Sequence, residues 1–207
     1  MINWEIKNKI PWLDEVPKHW DIVRIKHLFS ISKEKNEGQA LDVLSLTQRG
    51  IVLRDISNNE GQIASSYENY TRVRPGDFVF NPMDLVTGYV DCSKYDGVIS
   101  LAYTTLRPLN NKKISSEFYT YYFQWHYLQE ILFPFGQGVS PEHRWTLKDR
   151  ILLNFPIVFP PYEEQVKIAN TLKQKMSMIE DLAKILPKEI IRECISSIIY
   201  SAITTKN

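Results

Sequence analysis

Residues 162–204 read YEEQVKIANTLKQKMSMIEDLAKILPKEIIRECISSIIYSAIT, and their spacing decides the fold. Apolar side chains fall at Ala169, Leu172, Met176, Ile179, Ala183, Leu186 and Ile190. The steps alternate between three and four residues, the heptad seam that keeps one stripe of a helix against a partner helix. Lys, Glu, Asp and Gln fill most of the other positions, as a solvated face requires. Unbroken, the stretch would form a rod about 65 Å long at 1.5 Å per residue. Such a rod outruns a small domain, so part of its seam needs a surface beyond its own head. The spacing predicts a spacer arm that pairs with another such arm; a C-terminal helix docked on its own domain is the alternative. Pro187 lies inside the pattern, where it removes a hydrogen bond and pushes on the preceding turn. A kink or break over Lys184–Pro187 is therefore expected, with a second stripe beyond it at Ile191, Cys194 or Ile195, Ile198 and Ala202.

The whole chain has 207 residues, enough for one sizeable domain and an extension. Apolar residues make up 43% and aromatic ones 12%, ample for a packed core. No run of apolar residues is long enough for a transmembrane helix. The opening Met1-Ile2-Asn3-Trp4-Glu5 lacks the regions of a secretory signal. Cys92 and Cys194 are far apart in sequence and read as free thiols of a cytoplasmic protein. Lys and Arg number 25 against 24 Asp and Glu, and neither side of Pro160 is basic. Bulk charge does not announce nucleic acid, so any DNA binding has to come from local clusters or from partner proteins.

Ahead of the arm the chain reads as a mixed α+β head, about residues 1–160, with the arm over 161–207. Trp4, Pro11, Trp12, Pro17 and Trp20 suggest an extended lead-in with turns. Asp21 to Phe29 reads as a strand or a short helix. Strands are expected over Leu41–Leu53, broken near Gln48-Arg49-Gly50, and over Tyr70–Val73, Phe78–Phe80, Thr87–Val90, Val98–Leu106 and Ile151–Phe159. Ser115 is placed to cap a helix, with Glu117 where the dipole favours it. That helix carries Phe118, Tyr122, Trp125 and Leu128 on one face and stops before Pro134. Gly136-Gln137-Gly138 opens a loop through Arg144.

Catalytic signatures are missing. Phe159-Pro160-Pro161-Tyr162 mimics the Asn/Asp-Pro-Pro-Tyr motif of amino-methylating DNA methyltransferases. There the leading polar side chain must accept a hydrogen bond from the target amine, which Phe159 cannot do. No glycine-rich strand-to-helix turn is present to hold S-adenosylmethionine. His19, His27, His126 and His143 show no metal-ligand spacing. What remains is a set of basic and amide residues in predicted loops: Lys33, Lys35, Gln48, Arg49, Arg54, Thr87, Gln137, Ser140, His143 and Arg144. Arg and Gln can contact guanine and adenine edges bidentately, while Lys suits phosphates. Together they form a candidate DNA-reading surface.

Several stretches resemble the specificity subunits of type I restriction–modification enzymes. Ile10-Pro11-Trp12-Leu13-Asp14-Glu15-Val16-Pro17-Lys18-His19-Trp20 is similar to the family's opening. Tyr95-Asp96-Gly97-Val98-Ile99-Ser100-Leu101-Ala102-Tyr103-Thr104-Thr105-Leu106-Arg107-Pro108 is similar to its central strand pair. Leu153-Asn154-Phe155-Pro156-Ile157 with Pro160-Pro161-Tyr162-Glu163-Glu164-Gln165 is similar to the join between recognition domain and spacer helix. Ser201-Ala202-Ile203-Thr204-Thr205-Lys206 resembles the usual helix end, where glycine more often stands in place of Thr205. Family members usually carry two recognition domains and two spacers; here one of each is present, as in a natural half-subunit or a shortened chain. The resemblance implies a DNA specificity subunit without catalysis or cofactor of its own. Its head would read one half of a bipartite site. It would dock modification subunits, which bind S-adenosylmethionine and methylate adenine, and through them restriction subunits. The seam Ala169, Leu172, Met176, Ile179, Ala183, Leu186 and Ile190 would join two copies. Two rival expectations are a protein–protein adaptor that uses the arm without sequence-specific DNA binding, and a divergent methyltransferase.

Overall fold

The computed structural model describes residues 10–13, 15–39, 41–55, 66–138, 146–182 and 187–204. The chain runs through β1 (Asp21–Arg24), a 3-10 turn (Ile25–His27), β2 (Phe29–Ile31), β3 (Asp42–Thr47) and β4 (Gly50–Leu53). It continues through β5 (Thr71–Val73), β6 (Phe78–Phe80), β7 (Val90–Cys92), β8 (Gly97–Ile99) and β9 (Thr104–Pro108). Then come α1 (Ser116–Leu128), a 3-10 turn (Phe133–Phe135), α2 (Asp149–Asn154), β10 (Pro156–Phe159), α3 (Tyr162–Leu182) and α4 (Lys188–Thr204). The α+β class expected from the sequence is the one observed.

The strands form two four-stranded sheets, ordered β2-β9-β6-β7 and β4-β3-β8-β5, and a two-stranded ribbon of β1 with β10. Pairing is antiparallel except between β3 and β8. β6 shows why the sheets meet. Successive strand side chains point to opposite faces, so Phe78 and Phe80 enter the main core while Val79 enters a smaller cluster with Leu44, Ile51, Val73 and Ile99.

The main core lies between the first sheet and the helices. Ser115 caps α1 as its position predicts, its Oγ accepting from Phe118 N at 3.3 Å. Phe118, Tyr119, Tyr122, Phe123 and Trp125 are buried, and they pack on Phe29, Phe78 and Phe80. Tyr119 Oη donates to Val158 O at 3.0 Å and so ties α1 to β10.

Several sequence expectations change. Val98–Leu106 is two strands, not one, because the chain turns at Ser100–Tyr103, where Tyr103 N donates to Ser100 O at 3.1 Å. Ile151–Phe159 begins helical and becomes strand only from Pro156, since proline cannot donate the next helical hydrogen bond. Thr87–Val90 is largely loop, with β7 starting at Val90.

The arm departs most from expectation. It is not one rod of about 65 Å. α3 and α4 are separate helices, roughly 31 Å and 25 Å long at 1.5 Å per residue, with Pro187 between them as its chemistry predicts. α4 folds back: Tyr200 meets Trp125 at a ring distance of 5.9 Å, and Arg192 Nη2 donates to Leu128 O at 2.9 Å. It therefore runs antiparallel to α1. Ala169 and Leu172 are buried in the same core as Ile199 and Ile203 of α4. The early part of the seam is thus covered by the chain's own helices. Of the remaining seam positions, Ile179 is buried, Met176 half-buried and Ile190 44% exposed. Ala183 and Leu186 lie outside the described residues.

One amide fixes the arm's root. Gln165 is fully buried; its Oε1 accepts from Ser115 N at 2.9 Å, and its Nε2 donates to Pro160 O at 2.8 Å and Lys113 O at 3.1 Å. The preceding residue, Glu164, accepts from His19 Nε2 and Trp20 Nε1, both at 2.8 Å. The opening stretch and the join stretch, far apart in sequence, therefore touch.

Two outcomes follow from these buried groups. Gln165→Leu leaves three backbone groups without their partner, those of Ser115 and Pro160 buried, and is expected to lower stability by on the order of 3 kcal/mol; an unchanged urea midpoint would show that the joint is not needed. His126 is enclosed, with Nδ1 on Tyr122 O at 2.7 Å, and burial pushes its pKa from 6.5 down to about 4. Among the described residues its Nε2 has no hydrogen-bond partner. The unfolded chain then binds the proton more tightly than the folded one. Stability is complete above pH 6.5 and declines by about 3 kcal/mol as pH falls from 6.5 towards 4. Urea titrations of wild type and His126→Phe across that window measure it; equal pH slopes would contradict the assignment.

Candidate nucleic-acid interface

β3 and β4 are joined by the tight turn Gln48-Arg49. Thr47 Oγ1 accepts from Arg49 N at 3.1 Å and donates to Gly50 O at 2.9 Å. Gly50 has φ +98°, and a Cβ there would overlap the Asp91 carboxylate. Glycine is needed on both counts. Asp91 Oδ2 accepts from Ile51 N at 2.8 Å, which joins β7 of one sheet to β4 of the other. Burial raises the Asp91 pKa, against the pull of the Ile51 and Cys92 amides.

Beside this turn stands the loop 81–89, shaped by its own side chains. Asp84 Oδ1 accepts from Thr87 N at 2.7 Å and Val86 N at 3.1 Å, and Asp84 Oδ2 accepts from the Thr87 hydroxyl. Burial works to raise the Asp84 pKa, but the Thr87 hydroxyl and the Thr87, Val86 and Gly88 amides hold it below the ordinary range. Asn81 Oδ1 accepts from Met83 N at 3.1 Å, and Tyr127 Oη donates to Asn81 O at 2.7 Å. These bonds explain the missing strand: the amides that a strand would pair are turned onto Asp84.

The predicted loops converge here. Gln48 Nε2 donates to Thr87 O at 3.4 Å. Leu147 N donates to Pro82 O at 2.8 Å, and Gln137 and Thr146 exchange backbone hydrogen bonds at 2.9 and 3.0 Å. Gln48, Arg49, Thr87 and Gln137 thus share one end of the head; Ser140, His143 and Arg144 lie outside the described residues. Lys33 is exposed and pairs with Asp149 at 3.7 Å, two residues past Leu147. Lys35 stands apart on the β5 edge, bridged to Thr71 with its Nζ on Asn69 at 3.2 Å. Arg54 is half-buried and donates its amide to Val43 O at 2.8 Å. That is the far end of β3, about 17 Å from Gln48 at roughly 3.3 Å per residue.

The sequence reading missed the role of Asn81 and Asp84. Asx side chains fold the chain onto nearby amides, and Asn81-Pro82-Met83-Asp84 ahead of Thr87-Gly88 carried that signal. It also could not show which cations are committed within the fold. Arg107 forks onto Asp77 at 2.8 and 2.9 Å and reaches Glu34 at 3.0 Å. Arg74 meets Glu34 at 2.7 Å, and Arg72 forks onto Asp96 at 3.0 and 3.2 Å. The Arg107 hydrogen bond, with the Arg74 contact, keeps Glu34 ionised against the modest effect of burial. Arg49 is different: it is exposed, and among the described residues its guanidinium has no partner. Arginine pairs so held lock the strap 32–39 across both sheets and leave Arg49 as a cation able to meet a ligand.

The loop 81–89 and the arm's root lie at opposite ends of the head. The loop 81–89 follows Phe80, which pairs with Thr104 at one end of β9, whereas Leu109 and Lys113 at the other end lead to Gln165 and the arm. Among the described residues no group of His, Cys, Asp and Glu gathers as a metal site, and no helix is long and apolar enough to cross a membrane.

A family model described as type I restriction modification DNA specificity domain matches residues 17–192. The chain belongs to this family. Its fold is similar to that of an HsdS subunit from Thermoanaerobacter tengcongensis, with 20% identity and a TM-score of 0.54 over 94% of this chain and 47% of that one. It is similar to the S subunit of a type I restriction–modification system from M. genitalium, with 16% identity and a TM-score of 0.52 over 84% and 43%. A third structure, concerned with assembly and conformational transition of the type I R-M system, gives 20% identity and a TM-score of 0.56 over 95% and 48%. The chain spans about half the length of each of these chains.

Proposed function

We propose that this chain is a non-catalytic DNA-specificity subunit of a type I restriction–modification system. Its head, residues 1–160, reads one half of a bipartite double-stranded site. Its arm, residues 161–207, sets the distance to the second half and docks methyltransferase (modification) subunits, and through them the restriction subunit. S-adenosylmethionine belongs to those modification subunits. The observation that carries the reading is the gathering of Gln48, Arg49, Thr87 and Gln137 at one end of the head, opposite the arm's root. Amide and guanidinium groups suit base edges. A net charge of only +1 fits a reader whose partners supply much of the phosphate grip.

The second half-site would come from a second copy. Ala169, Leu172, Met176, Ile179 and Ile190, with Ala183 and Leu186, form the seam proposed to meet it. Exchange of α4 between two copies would keep the contacts that α4 makes with α1 and α3, a route to dimers with little cost. Met178, 70% exposed, and Ile190 already offer apolar surface on the arm. Two heads related by a two-fold axis would read an inverted, interrupted sequence.

Assembled with modification subunits, Arg49→Ala or Arg144→Ala should weaken DNA binding by about 1–3 kcal/mol and relax the preferred sequence. Titration with cognate and scrambled duplexes checks this, and unchanged selectivity in both variants would remove these loops from the reading surface. Sedimentation of the chain alone at micromolar concentration should give a dimer; a clean monomer would contradict the pairing.

A further inference from the structure

We propose that Gln48 reads an adenine in the major groove and that Asp84 is the residue that positions it. This rests on the DNA-reading function above and names the base met at one of its contacts. A primary amide carries two N–H donors and a carbonyl acceptor on one plane. One Gln48 N–H is directed at Thr87 O, 3.4 Å away. The other N–H and Oε1 remain for a ligand, next to each other on an exposed turn. Adenine presents an N6 donor beside its N7 acceptor, the complement of that pair. Guanine presents two acceptors there and would set O6 against Oε1. Thymine offers a methyl group beside its single acceptor.

The orientation of the amide is set from behind. The Thr87 carbonyl is fixed because Asp84 holds the Thr87 amide, the Thr87 hydroxyl and the Val86 amide. Gly88 closes the loop so tightly that a Cβ would overlap the Asp84 carbonyl. The other end of the loop is anchored to α1 by Tyr127 and to the 146–147 segment by Leu147. On the far side, Gly50 and Asp91 fix the turn that carries Gln48. Both partners of the Gln48–Thr87 bond therefore stand on rigid supports, and the amide is presented with less rotational freedom to lose on binding.

The test uses the full chain assembled with its modification subunits and a library of duplexes randomised across the bound stretch, with bound DNA sequenced. Wild type is expected to select adenine at one position of each half-site. Gln48→Ala should lose roughly ten- to a hundredfold of discrimination at that position and keep it elsewhere. Gln48→Glu should shift the preference there towards cytosine, whose N4 amine donates to a carboxylate. Asp84→Asn should lower discrimination at the same position while adenine stays favoured. A merely structural Asp84 would instead weaken binding to all sequences alike, which would overturn its assignment. If Gln48→Ala selects the wild-type sequence with undiminished discrimination, the proposal falls and the DNA-reading function stands. If wild type shows no selection at any position, both fall.

Discussion

The arrangement of head and arm depends on one buried amide. Gln165 begins the arm, yet its three hydrogen bonds go to Ser115, Lys113 and Pro160. The first two lie at the N-terminal approach to α1 and the third at the end of β10. Burying an amide is favourable only when its donors and acceptor are met. Here that condition admits one placement of α3 relative to α1. Glu164, holding His19 and Trp20, adds the lead-in to the same joint. Because α1 is 13 residues long and ends with Tyr127 on the loop 81–89, the joint also sets where that loop stands relative to the arm.

Stiffness at the opposite end of the head has a different source. The second sheet is small, and its core of Leu44, Ile51, Val73, Val79 and Ile99 buries little apolar surface. Polar side chains hold what the core cannot: Asp91 joins the sheets at one edge, and Glu34, Asp77 and Asp96 clasp three arginines. Arg107 and the nearly buried Asp77 matter most among these, since breaking a buried pair leaves an uncompensated charge. All three of these cations are thereby committed to the fold. A weakly charged head of this kind has few free cations for phosphate contacts, in keeping with the assembly proposed above.

Local chemistry was legible in the sequence, and long-range closure was not. Ser115 declared the start of α1, the Gln48-Arg49-Gly50 break separated β3 from β4, and Pro187 separated α3 from α4. Each signal acts within a few residues. Periodicity, by contrast, states only that a stripe needs covering, not what covers it. The seam's early residues Ala169 and Leu172 share a core with Ile199 and Ile203 of α4, whose Tyr200 meets Trp125, and nothing within the arm's own sequence could name Trp125. Thr87–Val90 reads as strand from its residues for a related reason: Thr87 and Val90 favour strand, but Asp84 captures the Val86 and Thr87 amides. The shared end of Gln48, Thr87 and Gln137 arises from sheet topology, whereas along the chain these residues are only a scattered set.

The most direct measurement is methylome sequencing of otherwise identical cells with and without this gene, in the presence of the partner modification subunits. The account predicts an inverted, interrupted motif whose adenine methylation appears only when the gene is present, and whose bases change when the β3–β4 turn and the loop 81–89 are replaced together. An identical methylome in both strains, or a motif that survives that replacement unaltered, would contradict it.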